Sequence, residues 1–247
     1  MQQKKTILAL IPNTITSLNV FSGCISITFA FNGKLELAAY FIFISAVFDF
    51  FDGFTARLLD AYSQLGKELD SLADIVSFGV APATIVYQIL LNEMPVHHFH
   101  WFIENYFPLL AFLIVIFSAL RLAKFNIDER QHLTFIGLAT PPNAMFFASL
   151  IFLSKKDYLS PIFEYAQNIW LLLFLVIVFS LLLIAEIPMF SLKLKSRKFS
   201  DYKIQYIFLG ISLILLIGLQ LAALPFIILV YILLSIINNI KFKQNIS

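Results

Sequence analysis

Charge is scarce in this chain. Asp, Glu, Lys and Arg make up 13% of it, about half the share usual in a soluble globular protein. The net charge is only +2, which leaves no large basic patch, so nucleic acid is not an expected partner. Cysteine is nearly missing: Cys24 stands alone, and no internal disulfide can form. The N-terminal stretch MQQKKTILALIPNTITSLN lacks a small-residue cleavage site after its apolar part. It reads as a retained helix rather than a removed signal peptide. No internal repeat and no soluble second domain are visible.

What fills the chain is apolar. Of 247 residues, 60% are hydrophobic, more than a soluble domain of that size can hide. Residues 169–185 and 206–238 contain no charge at all, and about 20 such residues suffice to cross a bilayer. The pattern predicts an all-α integral membrane protein with about eight spans, near 9–32, 34–60, 69–92, 105–124, 140–154, 168–190, 203–220 and 222–240. The fifth is short and is opened by Pro141 and Pro142, residues tolerated in a first helical turn. One helix over 206–238 would be ~48 Å long against a hydrocarbon core of ~30 Å. A hairpin near Gln220–Pro225 is therefore expected. With both ends inside, 14 of the 17 Lys and Arg fall on the inner side; only Lys34, Lys155 and Lys156 fall outside. The positive-inside rule expects that bias, and it puts residues 49–74 near the cytoplasmic face.

Those residues carry the motif Asp49-x2-Asp52-Gly53-x2-Ala56-Arg57-x8-Gly66-x3-Asp70-x3-Asp74. Spacings of three and four put Asp49 with Asp52, and Asp70 with Asp74, each pair on one helix face. Carboxylates at the end of an apolar helix normally face a protein interior or a watery cavity. Four together repel one another and stay ionised only if cations neutralise them, and hard divalent ions prefer oxygen ligands. The segment Arg57 to Gly66 is short and polar enough to turn. It can set the two helices antiparallel, with the pairs facing around one or two metal ions. Gly53 and Gly66 would let a ligand or another backbone approach closely.

These eight positions match the full signature of the CDP-alcohol phosphotransferases, and the chain resembles that family. The resemblance implies a six-helix membrane core, here residues 1–195, with a further C-terminal transmembrane hairpin at 196–247. It implies a CDP-linked lipid donor, an alcohol acceptor, Mg²⁺ or Mn²⁺, and pairing as a homodimer. Carried over by position, Asp49, Asp52, Asp70 and Asp74 would be metal ligands, and Asp74 also the base that takes the acceptor's hydroxyl proton. Gly53, Ala56 and Gly66 would line the cytidine pocket, with Arg57 beside the diphosphate. Phosphoryl transfer suits such a site because it needs positioning and charge neutralisation more than covalent help.

Four further segments resemble the serine synthases of that family. The first is Ile11-Pro12-Asn13-x2-Thr16-x2-Asn19-x3-Gly23, where glycerophosphate-type relatives tend to carry arginine at the Asn19 position. Asn19 is accordingly placed on the CDP-lipid side of the site. The second is Val76-Ser77-Phe78-Gly79-Val80-Ala81-Pro82. The third is Arg121-Leu122-Ala123-Lys124-Phe125-Asn126, in which Lys124 stands where those enzymes have arginine. The fourth is Phe135-x-Gly137-Leu138-x-Thr140-Pro141, with Ala139 in place of their proline. The expected reaction moves the phosphatidyl group of CDP-diacylglycerol to L-serine, giving phosphatidylserine and CMP, in a prokaryotic inner membrane. Ser77, Arg121, Lys124 and Asn126 are the candidate serine contacts, Arg121 for its carboxylate. Glycerol phosphate or inositol phosphate as acceptor is the alternative inside the family. A cation-coupled transporter is the alternative outside it, which would place carboxylates near the bilayer midplane. His97, His98 and His100 read as outer interfacial loop residues. The basic run Lys193–Lys198 reads as a contact for anionic headgroups.

Overall fold

The computed structural model describes residues 2–93, 106–128, 135–155, 157–190 and 202–244. His97, His98, His100, the run Lys193–Lys198 and the boundary at residue 195 lie outside the described residues. Among the described residues the fold is helical, with one two-stranded antiparallel ladder of two residues per strand.

Helix α1 (Gln2–Phe31) and α2 (Leu35–Leu58) form an antiparallel hairpin. Its turn is closed by Gly33 at φ 72°, with Lys34 N–H donating to Phe29 O at 2.9 Å. This is the left-handed helix ending that glycine favours. Serine hydroxyls stitch the pair: Ser22 donates to Phe41 O at 2.8 Å and Ser26 to Ala38 O at 2.7 Å. A turn through Asp60, at φ 47°, leads to α3 (Gln64–Asp74). Ser63 caps that helix, its hydroxyl accepting from Gly66 N–H at 2.9 Å. A side-chain oxygen at this position satisfies an otherwise orphaned first-turn donor.

Helix α3 runs without a break into a π-helical segment (Ile75–Val80) and then α4 (Ala81–Glu93). Residues 81–86 are all buried, which makes α4 the central helix. A 3₁₀ turn at Phe107–Phe112 leads into α5 (Leu113–Ile127). The strands β1 (Phe135–Ile136) and β2 (Pro188–Met189) bracket α6 (Thr140–Ser149), α7 (Ser160–Gln167) and α8 (Ile169–Ile184). Pro141 and Pro142 occupy the first turn of α6, as expected. Its far end passes into a 3₁₀ stretch at Leu150–Lys155, of which Leu150 to Leu153 are buried. The fifth expected span is thus a short core element. Phe146 stacks on Phe179 of α8 with centroids 3.9 Å apart.

The last elements are α9 (Lys203–Leu219), a 3₁₀ turn at Gln220–Ala223, and α10 (Leu224–Gln244). Gln220 takes φ 56°, ψ −131°, which breaks the helix. The rings of Phe208 and Tyr231 lie 5.7 Å apart, whereas 23 residues of continuous helix would separate them by ~35 Å. The C-terminal apolar run is therefore a hairpin. It packs onto the rest of the chain through α10 on α6, and Tyr231 donates to Phe190 O at 3.1 Å. Leu8–Phe31, Leu35–Leu58, Gln64–Glu93 and Phe107–Ile127 are long and apolar enough to cross a membrane, as is the apolar run Lys203–Asn239 that contains the hairpin. α8 is apolar but shorter. The outward Phe and Leu side chains of these helices suit a lipid surround, in which each helix satisfies its own backbone.

Candidate active site

The aspartates come from two successive helices. Asp49 and Asp52 lie on α2, and Asp70 and Asp74 on α3. One carboxylate oxygen from each of Asp49, Asp70 and Asp74 lies within 4.8 Å of the other two. Asp52 stands outside this trio: its Oδ2 accepts from Thr16 Oγ1 of α1 at 2.7 Å. Asp74 ends α3 and is 9% exposed. Its Oδ2 accepts from Thr140 Oγ1 at 3.1 Å, while its buried Oδ1 has no hydrogen-bond partner. Three ionised carboxylates this close repel one another strongly in a poorly screened setting. The all-oxygen donor set and the unpartnered Oδ1 fit a hard divalent cation.

A cleft of about 680 Å³ opens beside the trio. Asp52, Asp70, Gly53, Ala56 and Gly66 line it, with Asn13, Thr16, Tyr62, Ser63 and Lys67. Arg57 is exposed on α2 and lies against Gly53, its guanidinium 3.5 Å from where a Cβ there would sit. At Gly66 a Cβ would meet Asn13 Oδ1 at 2.9 Å and the Ser63 hydroxyl at 3.0 Å. Glycine there keeps the cap intact and the cleft open.

Behind the trio the packing is closer still. The π segment begins immediately after Asp74. Gly23 of α1 abuts Ser77, so that a Cβ would fall 2.9 Å from Ser77 Cα. Ser77 Oγ donates to Asn19 O at 3.0 Å, and Ser45 donates to the same carbonyl at 3.3 Å. π-helical insertions are frequent at functional sites. Here the extra residue sets the chain that follows Asp74 against α1. The Asn19 side chain is fully buried, and neither of its amide atoms has a partner. It does not line the cleft.

The remaining candidates are spread along α5. Arg121 is buried, donates through Nε to Leu138 O, lies 5.7 Å over the Phe125 ring and interacts by charge with Asp74. Lys124 pairs with Glu186 at 3.1 Å and is directed there rather than to the aspartates. Asn126 donates through Nδ2 to Ser71 Oγ at 2.9 Å and accepts at its carbonyl from Lys67 Nζ at 3.3 Å. It ties the end of α5 to α3. The Gly137–Leu138 loop holds Arg121 and Thr140 in place. Gly137 sits at φ 76° with the carbonyl of Leu183 where a Cβ would lie, and Leu138 N–H donates to Leu182 O at 2.9 Å. Sequence reasoning overlooked Asn143, an amide buried on α6 amid apolar neighbours. A lone amide in the run Pro-Pro-Asn-Ala-Met-Phe-Phe is the signal that could have found it.

Two aspartate-bearing helices and a glycine-lined cleft thus sit in a predominantly helical scaffold with membrane-spanning character. The family model for CDP-alcohol phosphatidyltransferase matches residues 9–181, and the chain belongs to that family. It is 41% identical over 131 residues to a CDP-diacylglycerol–serine O-phosphatidyltransferase of Bacillus subtilis, covering 53% of this chain and 69% of that one. A Mycobacterium bovis protein of the same name is 33% identical over 189 residues, 74% of this chain and 61% of the relative. An archaetidylserine synthase of Methanothermobacter thermautotrophicus is 32% identical over 167 residues, 66% and 67% of the two chains.

Proposed function

We propose that this chain transfers the phosphatidyl group of CDP-diacylglycerol to the hydroxyl of L-serine, giving phosphatidylserine and CMP. The convergence of Asp49, Asp70 and Asp74 beside a glycine-lined cleft carries the reading. The names of the relatives support serine as the acceptor. Those three carboxylates, with Asp52 at the cleft wall, would hold Mg²⁺ or Mn²⁺. Such ions, when bound, neutralise the diphosphate and stabilise the leaving phosphate.

The residues divide the remaining work. Gly53, Ala56 and Gly66 admit the cytidine end of the donor, with Arg57 at its diphosphate. The serine oxygen attacks the phosphorus that carries the diacylglycerol. The bond from that phosphorus to the oxygen of CMP breaks, and CMP leaves with the electron pair. Asp74 accepts the serine hydroxyl proton, with Thr140 holding its carboxylate in place through Oδ2. A positioned base of this kind contributes typically 10²–10⁴-fold. Arg121, beside Asp74, is suited to the serine carboxylate. Ser77 and Asn19 act through packing that holds the π segment on α1, and Lys124 and Asn126 act by fixing α5.

The site faces the cytoplasm of a prokaryotic cell, a reading supported by the Lys and Arg bias and by bacterial and archaeal relatives. Two copies pair as a homodimer. Residues 1–195 form the catalytic core, to which 196–247 add a hairpin; the family match ends at residue 181, ahead of it. Purified protein in detergent, given CDP-diacylglycerol, Mg²⁺ and one acceptor at a time, should release CMP with L-serine. CMP with glycerol phosphate but not serine would overturn the acceptor. No CMP with any alcohol would overturn the reaction.

A further inference from the structure

Asn143 has no role so far, yet it is fully buried with neither Nδ2 nor Oδ1 bonded to protein. Buried amide groups without partners are rare and costly, and each calls for an explanation. Its position supplies one. Asn143 lies three residues beyond Thr140 on α6, so it shares the face whose threonine touches Asp74. Asn19 bears the same relation to Thr16, which touches Asp52 at the cleft wall. Two unpartnered amides therefore sit one helical turn beyond threonines that bond the carboxylates, Asn19 beyond Thr16 and Asn143 beyond Thr140. Helix α6 packs against the π segment that follows Asp74, which puts Asn143 on an element that borders the proposed base.

We propose that Asn143 contacts the acceptor directly, its Oδ1 accepting a hydrogen bond from the ammonium group of an amino-acid acceptor. The assignment rests on the acceptor reading above. A neutral amide suits a zwitterion: it takes up the ammonium without adding another negative charge to the aspartate cluster. An acceptor with the hydroxyl but no ammonium, such as glycerate, leaves that oxygen unmatched.

The test is Asn143→Leu, a near-isosteric change that removes both polar atoms. KM and kcat are measured for CDP-diacylglycerol, L-serine and glycerate by CMP release, alongside thermal unfolding in detergent. The KM for L-serine should rise at least about tenfold, as expected for one hydrogen bond to a charged group. The preference for serine over glycerate should fall by the same factor, the KM for CDP-diacylglycerol should stay within about twofold, and the unfolding midpoint should hold or rise. A merely structural amide would instead lower the midpoint and leave the serine-to-glycerate ratio alone, which overturns the proposal. If the leucine variant does not fold, Asn143→Ala is read by the same ratio. Wild-type protein that releases no CMP with L-serine sinks the acceptor reading and this assignment together. Wild-type protein active with serine beside an unchanged variant sinks only the role of Asn143.

Discussion

Replacing Gly23 by alanine tests the contact that fixes Asp74. The added Cβ would lie 2.9 Å from Ser77 Cα and 3.1 Å from Ser77 Cβ, and hard against its hydroxyl. The hydroxyl can rotate away, but the Cα cannot. The approach is about 0.5 Å short of ordinary van der Waals contact, which begins at 3.4 Å. Helix α1 and the π segment must part by at least that much. Overpacking of this kind costs about 1–3 kcal/mol, and loss of the Ser77–Asn19 hydrogen bond adds about 1 kcal/mol. Because the segment starts at the residue after Asp74, and α1 carries Thr16, the displacement acts on both sides of the carboxylates. A misplacement of about 1 Å can cost on the order of a hundredfold in rate, so half of that should cost on the order of tenfold. CMP release and thermal unfolding in detergent would be measured side by side with Gly210→Ala, where a Cβ meets nothing within 4 Å. Gly210→Ala should be neutral or slightly stabilising. Wild-type turnover and an unshifted midpoint in Gly23→Ala would refute the account of how α1 holds the π segment.

Further substitutions probe the other parts. Asp74→Asn should cut turnover by roughly 10²–10⁴-fold while CDP-diacylglycerol still binds, which equilibrium binding of the donor would check. Thr140→Val removes the donor to Asp74 Oδ2 and should lower kcat about tenfold, with KM for the donor unchanged in the same kinetic assay. Gln220→Gly relieves a backbone conformation that side chains avoid, and should stabilise by about 1 kcal/mol, seen as a higher unfolding midpoint with unchanged activity. Chelation with EDTA should abolish CMP release, and Mg²⁺ or Mn²⁺ should restore it.

Much of the site was legible because helical periodicity converts spacing into geometry. Asp49 with Asp52 and Asp70 with Asp74 could be paired on helix faces, and the hairpin at Gln220 followed from length alone. Contacts between distant segments were not legible. Thr16 meets Asp52 across 36 residues and Thr140 meets Asp74 across 66, and no local pattern encodes such pairings. Hydropathy also misplaced the start of α3. The helix begins at Gln64 under the Ser63 cap, but its first turn is polar and looks like loop to an apolar window. Residues 140–154 form a helix and a 3₁₀ stretch mostly buried among the other helices, a setting that apolarity does not distinguish from a lipid-facing one. The π segment carried no signal of its own, since its geometry is imposed by packing against Gly23 and Ser118.

The most direct test is transfer itself. Purified wild-type protein with CDP-diacylglycerol, Mg²⁺ and labelled L-serine should place the label in lipid in a one-to-one ratio with CMP released. The Asp70→Ala variant should do neither. CMP release without label in lipid, or labelled lipid formed equally well by Asp70→Ala, would contradict the account.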